Sequence, residues 1–188
     1  MDKHMDRAIG ARLQALRTAQ NLSLGELAAR SEVSKAMIAR VEKAESSATA
    51  ALLGRLCAGL GVTLSSVVAA SERPAERLSR RAAQPVWQDP ESGYVRRHVS
   101  PPAAASGIEI VAVDLPPGAE IPYAPWQSNA YSQQLYVLAG TLRLTIGEET
   151  VALSPGDCID FDVGRAVTFK NSGQTSAHYV VCIRADRL

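Results

Sequence analysis

The sequence predicts an α + β protein of two domains: five short helices over residues 1–70, a linker over 71–85, and a β-sandwich or barrel over 86–188. Three observations carry this expectation. Up to about residue 70 the apolar residues recur at helical spacing, beyond residue 86 they alternate with polar ones, and the charge changes sign between the two parts. Residues 1–85 hold 13 Lys/Arg against 8 Asp/Glu and residues 86–188 hold 7 against 11, so the total of +1 conceals parts of +5 and −4. The basic part is the candidate for a polyanionic partner.

The helical repeat runs through Ile9, Leu13 and Leu16, then Leu27 and Ala28, Ile38 and Val41, Leu52, Leu56 and Leu60, and Leu64 and Val67. Caps divide it into five helices. Ser23 with Glu26 has the spacing of a capping box, Ser34, Thr49 and Thr63 each precede helix formers, and Gly61 suits the position just past a helix end. Ser71 to Pro85 is polar, basic and bounded by prolines, which is the composition of a linker with at most a brief helix.

Beyond the linker, GYVRRHV, GIEIVAVDL, TLRLTIG and HYVVCIR alternate with period two, separated by Pro-Pro-Gly, Gly-Glu-Glu and Ser-Pro-Gly-Asp. Short strands at close spacing with such turns predict an all-β sandwich or barrel, and Gly147-Glu148-Glu149 reads as a hairpin turn.

Composition narrows the function classes. With 46% apolar residues the chain has enough material for real cores. Cys57, Cys158 and Cys182 are odd in number and widely spaced, which argues against a disulfide framework or a zinc finger and for a reducing cytoplasm. No apolar run reaches the roughly 18–20 residues of a membrane span, and the first residues lack an export signal. Neither a Ser-His-Asp nor a Cys-His arrangement is evident.

Leu22 to Ser47, LSLGELAARSEVSKAMIARVEKAESS, resembles the helix-turn-helix of the phage-repressor-like, XRE-type DNA-binding family, and the likeness extends over residues 6–70. Small Ala28 stands where two helices cross, Val33 plugs the turn, and Ile38 and Val41 anchor the second helix. The resemblance implies that the free face of that helix lies in the major groove of double-stranded DNA. It maps Ser34, Lys35, Ala36, Ala39 and Arg40 to the groove and Lys43 to the backbone, with Lys35 and Arg40 able to donate to guanine O6 and N7. It also implies that Arg17 and Glu42 pair inside the domain. Two departures from the family pattern are Glu32, where Gly is frequent, and Leu24, where Gln is frequent.

Residues 86–188 resemble a small cupin, a jelly-roll β-barrel. The family pattern is G-x5-H-x-H-x(3,4)-E-x6-G followed by G-x5-P-x-G-x2-H-x3-N, whose histidines and glutamate bind a metal. Here Gln133-x6-Gly140 fits the end of the first part, and Gly156-x5-Asp162-x-Gly164-x2-Val167-x3-Asn171 fits the second. The missing histidine pair falls on Trp126 and Ser128, on Gln127 and Asn129, or on Ala124 and Trp126, depending on register. In every register imidazole and carboxylate are absent from the four positions, and amides, indoles and isopropyl groups do not replace them as ligands. The expectation is a pocket without metal or other cofactor.

The candidate ligand-binding residues are Trp126, Ser128, Gln133, Val167, Tyr131, Tyr136 and His178, apolar walls with a few hydrogen-bonding groups. His178, Cys182 and Cys158 are a weaker alternative as a metal set. His98, beside Arg96 and Arg97, reads as surface or pocket rim.

The joint architecture resembles bacterial XRE–cupin regulators. The resemblance implies a cytoplasmic homodimer, not an enzyme, that binds a two-fold operator and senses a small-molecule effector. Two other readings stand beside it: a ligand-independent repressor whose barrel serves dimerisation, and a cupin enzyme fused to a DNA-binding domain.

Overall fold

The structure, a computed structural model, describes residues 3–68, 77–101, 106–125 and 132–184. Two compact units divide the chain, Met1–Ala70 and Ser71–Leu188.

The first unit is helical: α1 (Lys3–Ala19), α2 (Leu24–Ser31), α3 (Lys35–Glu42), α4 (Ala50–Leu60) and α5 (Leu64–Val68). The expected five-helix bundle is corrected to four helices of two turns or more and a five-residue fifth, because the buried apolar repeat of that segment spans only Leu64, Val67 and Val68. The capping box forms: the Glu26 amide donates to Ser23 Oγ at 3.2 Å and the Ser23 amide to Glu26 Oε2 at 2.8 Å. The exposed Glu26 carboxyl is held below its ordinary pKa by the Ser23 backbone hydrogen bond above all. Ser34 and Thr49 accept from the amides of Met37 and Leu52, which starts α3 and α4. Glu32 ends α2 at φ 54, the left-handed region that favours Gly, which gives a physical reason for the family's preference there.

Leu13, Leu27, Ile38, Leu53 and Leu56 form the buried centre of this unit. The closest helix approach is at Gly10, where a Cβ would stand 2.5 Å from the Val41 carbonyl oxygen and 2.7 Å from that of Glu42. Backbone on backbone leaves no flexible group to yield, so α1 lies against the end of α3 only because residue 10 has no side chain.

The second unit contains ten antiparallel strands: β1 (Val86–Gln88), β2 (Val95–His98), β3 (Ile108–Leu115), β4 (Glu120–Tyr123), β5 (Ser132–Ala139), β6 (Leu142–Ile146), β7 (Glu149–Leu153), β8 (Cys158–Asp162), β9 (Val167–Lys170) and β10 (Ala177–Arg184). They form a six-stranded sheet in the order β1-β2-β3-β10-β5-β8 and a four-stranded sheet in the order β4-β9-β6-β7. No pairing joins the sheets among the described residues, so the expected closed barrel is corrected to a sandwich with free edges at β1, β8, β4 and β7. Before β1, Arg81–Ala83 makes a single 3-10 turn.

The inner faces are apolar by alternation: Val111, Val113 and Leu115 from β3, Leu135 and Val137 from β5, and Leu142, Leu144 and Ile146 from β6 are all buried. Phe169 of β9 joins the layers, meeting Tyr123 and Phe161 edge-on at 5.8 and 6.2 Å and stacking on Tyr179 of β10 at 5.9 Å. Buried Asn171 closes one end: Nδ2 donates to the carbonyls of Leu115 and Thr175, and Oδ1 accepts from the Gly173 amide. The β6–β7 hairpin turns through Gly147 at φ 60. No described helix is long and apolar enough to cross a membrane.

Gly10→Ala is expected to destabilise the helical unit by about 1–3 kcal/mol through overpacking. Chemical denaturation followed by helical circular dichroism measures this, and a change within error would show that α1 is free to move away from α3.

Candidate functional site

In the helical unit the site is the outward face of α3. Ile38 and Val41 are buried, whereas Ser34, Lys35, Ala36, Arg40 and Lys43 are exposed and Ala39 is half-buried. Helical spacing of three and four residues brings these six side chains to one side. Lys35 does not project freely: a Cβ at Gly25 would come within 3.1 Å of its Cε and Nζ, so the lysine lies along the start of α2. Arg40 and Lys43 are the cations that stand away from the neighbouring helices.

An ion pair fixes the rear of α3. Arg17 Nε donates to Glu42 Oε1 at 2.7 Å and Nη2 to Oε2 at 2.9 Å, with the side chains 12% and 5% exposed. Nη1 donates to the Leu22 carbonyl at 2.8 Å, so one guanidinium ties α1, the α1–α2 turn and α3 together. The hydrogen bond to Glu42 raises the Arg17 pKa against the opposing effect of burial. The pairing implied by the resemblance is present, while the Gly10 contact behind the same helix was legible only as an unexplained Gly inside a helical pattern.

In the sandwich the expected ligand-binding residues part company. Trp126, Ser128 and Tyr131 lie outside the described residues. Gln133 is buried on the inner face of β5, between Phe161 of β8 and Ile183 of β10. Val167 is buried on β9 beside Tyr123 and Ile146. Tyr136 and His178 are corrected: Tyr136 is 46% exposed, because it stands three residues from Gln133 and an odd offset reverses the face. His178 is exposed on the outer side of β10, where Nδ1 meets Asp114 Oδ1 of β3. Cys158 and Cys182 are exposed as well, and no group of three His, Cys, Asp or Glu among the described residues is arranged to hold a metal. At two of the cupin metal positions Gln133 offers an amide and Val167 no donor at all, so the residues present do not fit that metal.

The inner face carries a polar group that the sequence reading left outside. Arg96 and His98 alternate inward on β2 and are buried, which corrects the rim position expected for His98. Arg96 Nη1 donates to Tyr94 Oη at 3.2 Å. Arg96 stands opposite Val113, which on its other side stands opposite Tyr179, so Arg96 and Tyr179 share one row of the inner face. Tyr123 approaches from β4 of the facing sheet. Burial, reinforced by Tyr94, pushes the Tyr123 and Tyr179 hydroxyls well above the ordinary phenol value, against the opposing charge of Arg96. Burial and then Arg96 push the His98 imidazole down. The Tyr123 hydroxyl, although next to Tyr94, and His98 Nδ1 are buried without a partner in hydrogen-bond geometry. The sequence signal for this cluster was the period of GYVRRHV, which puts Tyr94, Arg96 and His98 on one face.

Comparison with known proteins assigns both units. Residues 13–67 match the family model described as "Helix-turn-helix" and residues 111–183 the one described as "Cupin domain". The HTH-type transcriptional regulator SutR of Escherichia coli (strain K12) is 25% identical over 178 residues, covering 94% of each chain. The crystal structure of an HTH_3 family transcriptional regulator from Vibrio cholerae superposes with a TM-score of 0.80 at 24% identity over 100% of both chains. That of Fe(II) HppE gives 0.51 at 17% identity over 95% of this chain and 98% of that one, a likeness of fold alone.

Two outcomes test this geometry. Arg17→Met leaves Glu42 without its partner and is expected to cost the helical unit about 3 kcal/mol or more, read by denaturant titration. His98 titrates with the opposite consequence to a carboxylate. Its folded pKa lies below the unfolded value, so its stabilising contribution is full above about 6.5 and is lost as the pH falls toward the folded value. The β-unit is expected to melt at lower temperature at pH 5 than at pH 7, by about the same increment His98→Gln removes from the pH slope. A slope unchanged in that variant would place the acid sensitivity elsewhere. The matched segments, in the order helix-turn-helix then cupin, give this chain the build of a DNA-binding transcriptional regulator of the XRE type with a C-terminal cupin domain.

Proposed function

We propose that the protein is a sequence-specific transcriptional regulator whose α3 enters the major groove of an operator and whose cupin domain binds a small-molecule effector without a metal. The supporting observation is the exposed face of α3, Ser34, Lys35, Ala36, Ala39, Arg40 and Lys43, backed by the buried Arg17–Glu42 pair. Arg40 reads a guanine edge, Ala36 meets a thymine methyl, and Lys43 neutralises a phosphate. Lys35, drawn toward the start of α2, is placed for either a base or a phosphate.

A two-fold operator with half-sites about 34–36 Å apart requires a homodimer, and the DNA partner places the protein in the cytoplasm. Residues 1–70 form the DNA-binding domain, 71–85 the linker and 86–188 the sensor. Gln133 and Val167 support the metal-free reading, because they occupy two ligand positions without offering ligands. The same two residues weigh against a metal-dependent cupin enzyme and favour a sensor.

Operator sequences selected by the purified protein from random duplexes provide the test. Arg40→Ala is expected to lose roughly 1–3 kcal/mol of specific binding and to relax preference at one base position per half-site. Lys43→Ala is expected to weaken binding to all sequences alike and to reduce the salt slope by about 1. Wild-type affinity and preference in both variants would remove α3 from the interface.

A further inference from the structure

The cupin interior is donor-rich at one place. Tyr94, Arg96, His98, Tyr123 and Tyr179 converge there from two sheets, and Gln133 is not among them: it pairs with Ile183, two same-face rows along β10 from Tyr179 and three strands across from β2. Arg96 carries a permanent charge and only donors. The Tyr123 hydroxyl has a proton to give and, in the folded chain, no acceptor in hydrogen-bond geometry. A buried polar atom left so is costly and marks either strain or a missing ligand. Tyr94, which already accepts from Arg96, has its own proton to offer.

We propose that this cluster is the effector subsite and that it takes the anionic end of a small organic acid, a carboxylate, sulfonate or phosphate, whose oxygens accept from the Arg96 guanidinium and the Tyr123 hydroxyl. The chemistry that selects an anion is the number of donors around one cation; an amine or a neutral amide would leave the phenolic protons and the guanidinium unanswered. His98, kept neutral beside Arg96, supplies a further donor or acceptor through Nδ1 and so accommodates a hydroxyl or a protonated oxygen next to the anion. The aromatic wall of Phe169 and Tyr179 gives the rest of the molecule an apolar surface. This inference rests on the reading of the cupin unit as a sensor, and it replaces the uncharged pocket that Gln133 and Val167 alone would make.

The test uses the full-length protein with acetate, inorganic sulfate and inorganic phosphate as probes, at constant ionic strength, read by thermal shift of the β-unit and by operator affinity. At least one probe is expected to raise the melting temperature saturably. Arg96→Gln is expected to weaken that response about tenfold or more. If Arg96→Gln does not fold, Tyr123→Phe decides: removing a hydroxyl without a partner leaves the anion-free melting temperature unchanged or higher, while the anion response weakens. A Tyr123→Phe protein that melts lower without anion and keeps the wild-type response would show a structural cluster and overturn the proposal. So would the absence of any saturable response in the wild type. Lys35→Ala with Arg40→Ala is expected to keep the response, which separates it from anion binding to the DNA-reading face. Anion binding that leaves operator affinity unaltered sustains the subsite and instead sinks the regulatory link of the preceding section.

Discussion

In the β-unit every side chain's fate is decided by one constraint: two antiparallel sheets must bury one face each, and along a strand the faces alternate residue by residue. Once Leu135 and Val137 of β5 are committed to the interior, Gln133 goes in and Tyr136 goes out. Once Tyr179 and Val181 of β10 are committed, His178 turns outward to Asp114. On β2 the same rule carries Arg96 and His98 inward, although neither gains from leaving water for its own sake. Polar residues inside the sandwich are therefore imposed by register, and their partners must come from Tyr94, Tyr123 and Tyr179, which reach the same volume.

The helical unit depends on closeness of a different kind. Gly10 lets the α1 backbone approach the carbonyls of Val41 and Glu42, and Arg17 then reaches both oxygens of Glu42 in near-ideal fork geometry. A pair this dry adds little over an apolar packing of the same shape, but it fixes orientation, since a rotation of α3 would strand a buried carboxylate. Orientation is what a recognition helix requires: misplacing Arg40 by one helical position turns it about 100° away from the groove.

How far the sequence reveals this can be traced residue by residue. The caps at Ser23, Ser34, Thr49 and Gly61, the turn at Gly147 and the change of period near residue 86 were legible because each rests on local backbone chemistry. The outward face of α3 was legible because Ile38 and Val41 fix its opposite. Tyr136 and His178 were misplaced inside because they were taken as members of a chemical list without applying strand parity from Gln133 and Tyr179. Gly10 was unread because its role lies in a contact with residues 31 and 32 positions away, and the reach of Tyr123 across to Arg96 depends on the facing of two sheets, which strand patterns do not encode.

The polar cluster also bears on how such a molecule can respond to a ligand at all. A sandwich built for stability alone would fill the places of Arg96 and His98 with apolar groups, since buried ions rarely improve on well-packed hydrocarbon. Their presence leaves a part of the core whose free energy depends strongly on whether an acceptor is at hand. Regulation requires no more than a differential: a tenfold change in operator affinity corresponds to about 1.4 kcal/mol between two states of the chain. One charge-assisted hydrogen bond, at roughly 1.5–3 kcal/mol, made in only one of those states is sufficient. The energetic demand on the cupin interior is thus a single well-placed contact, and Tyr123 Oη and Arg96 are groups through which an anion would make it.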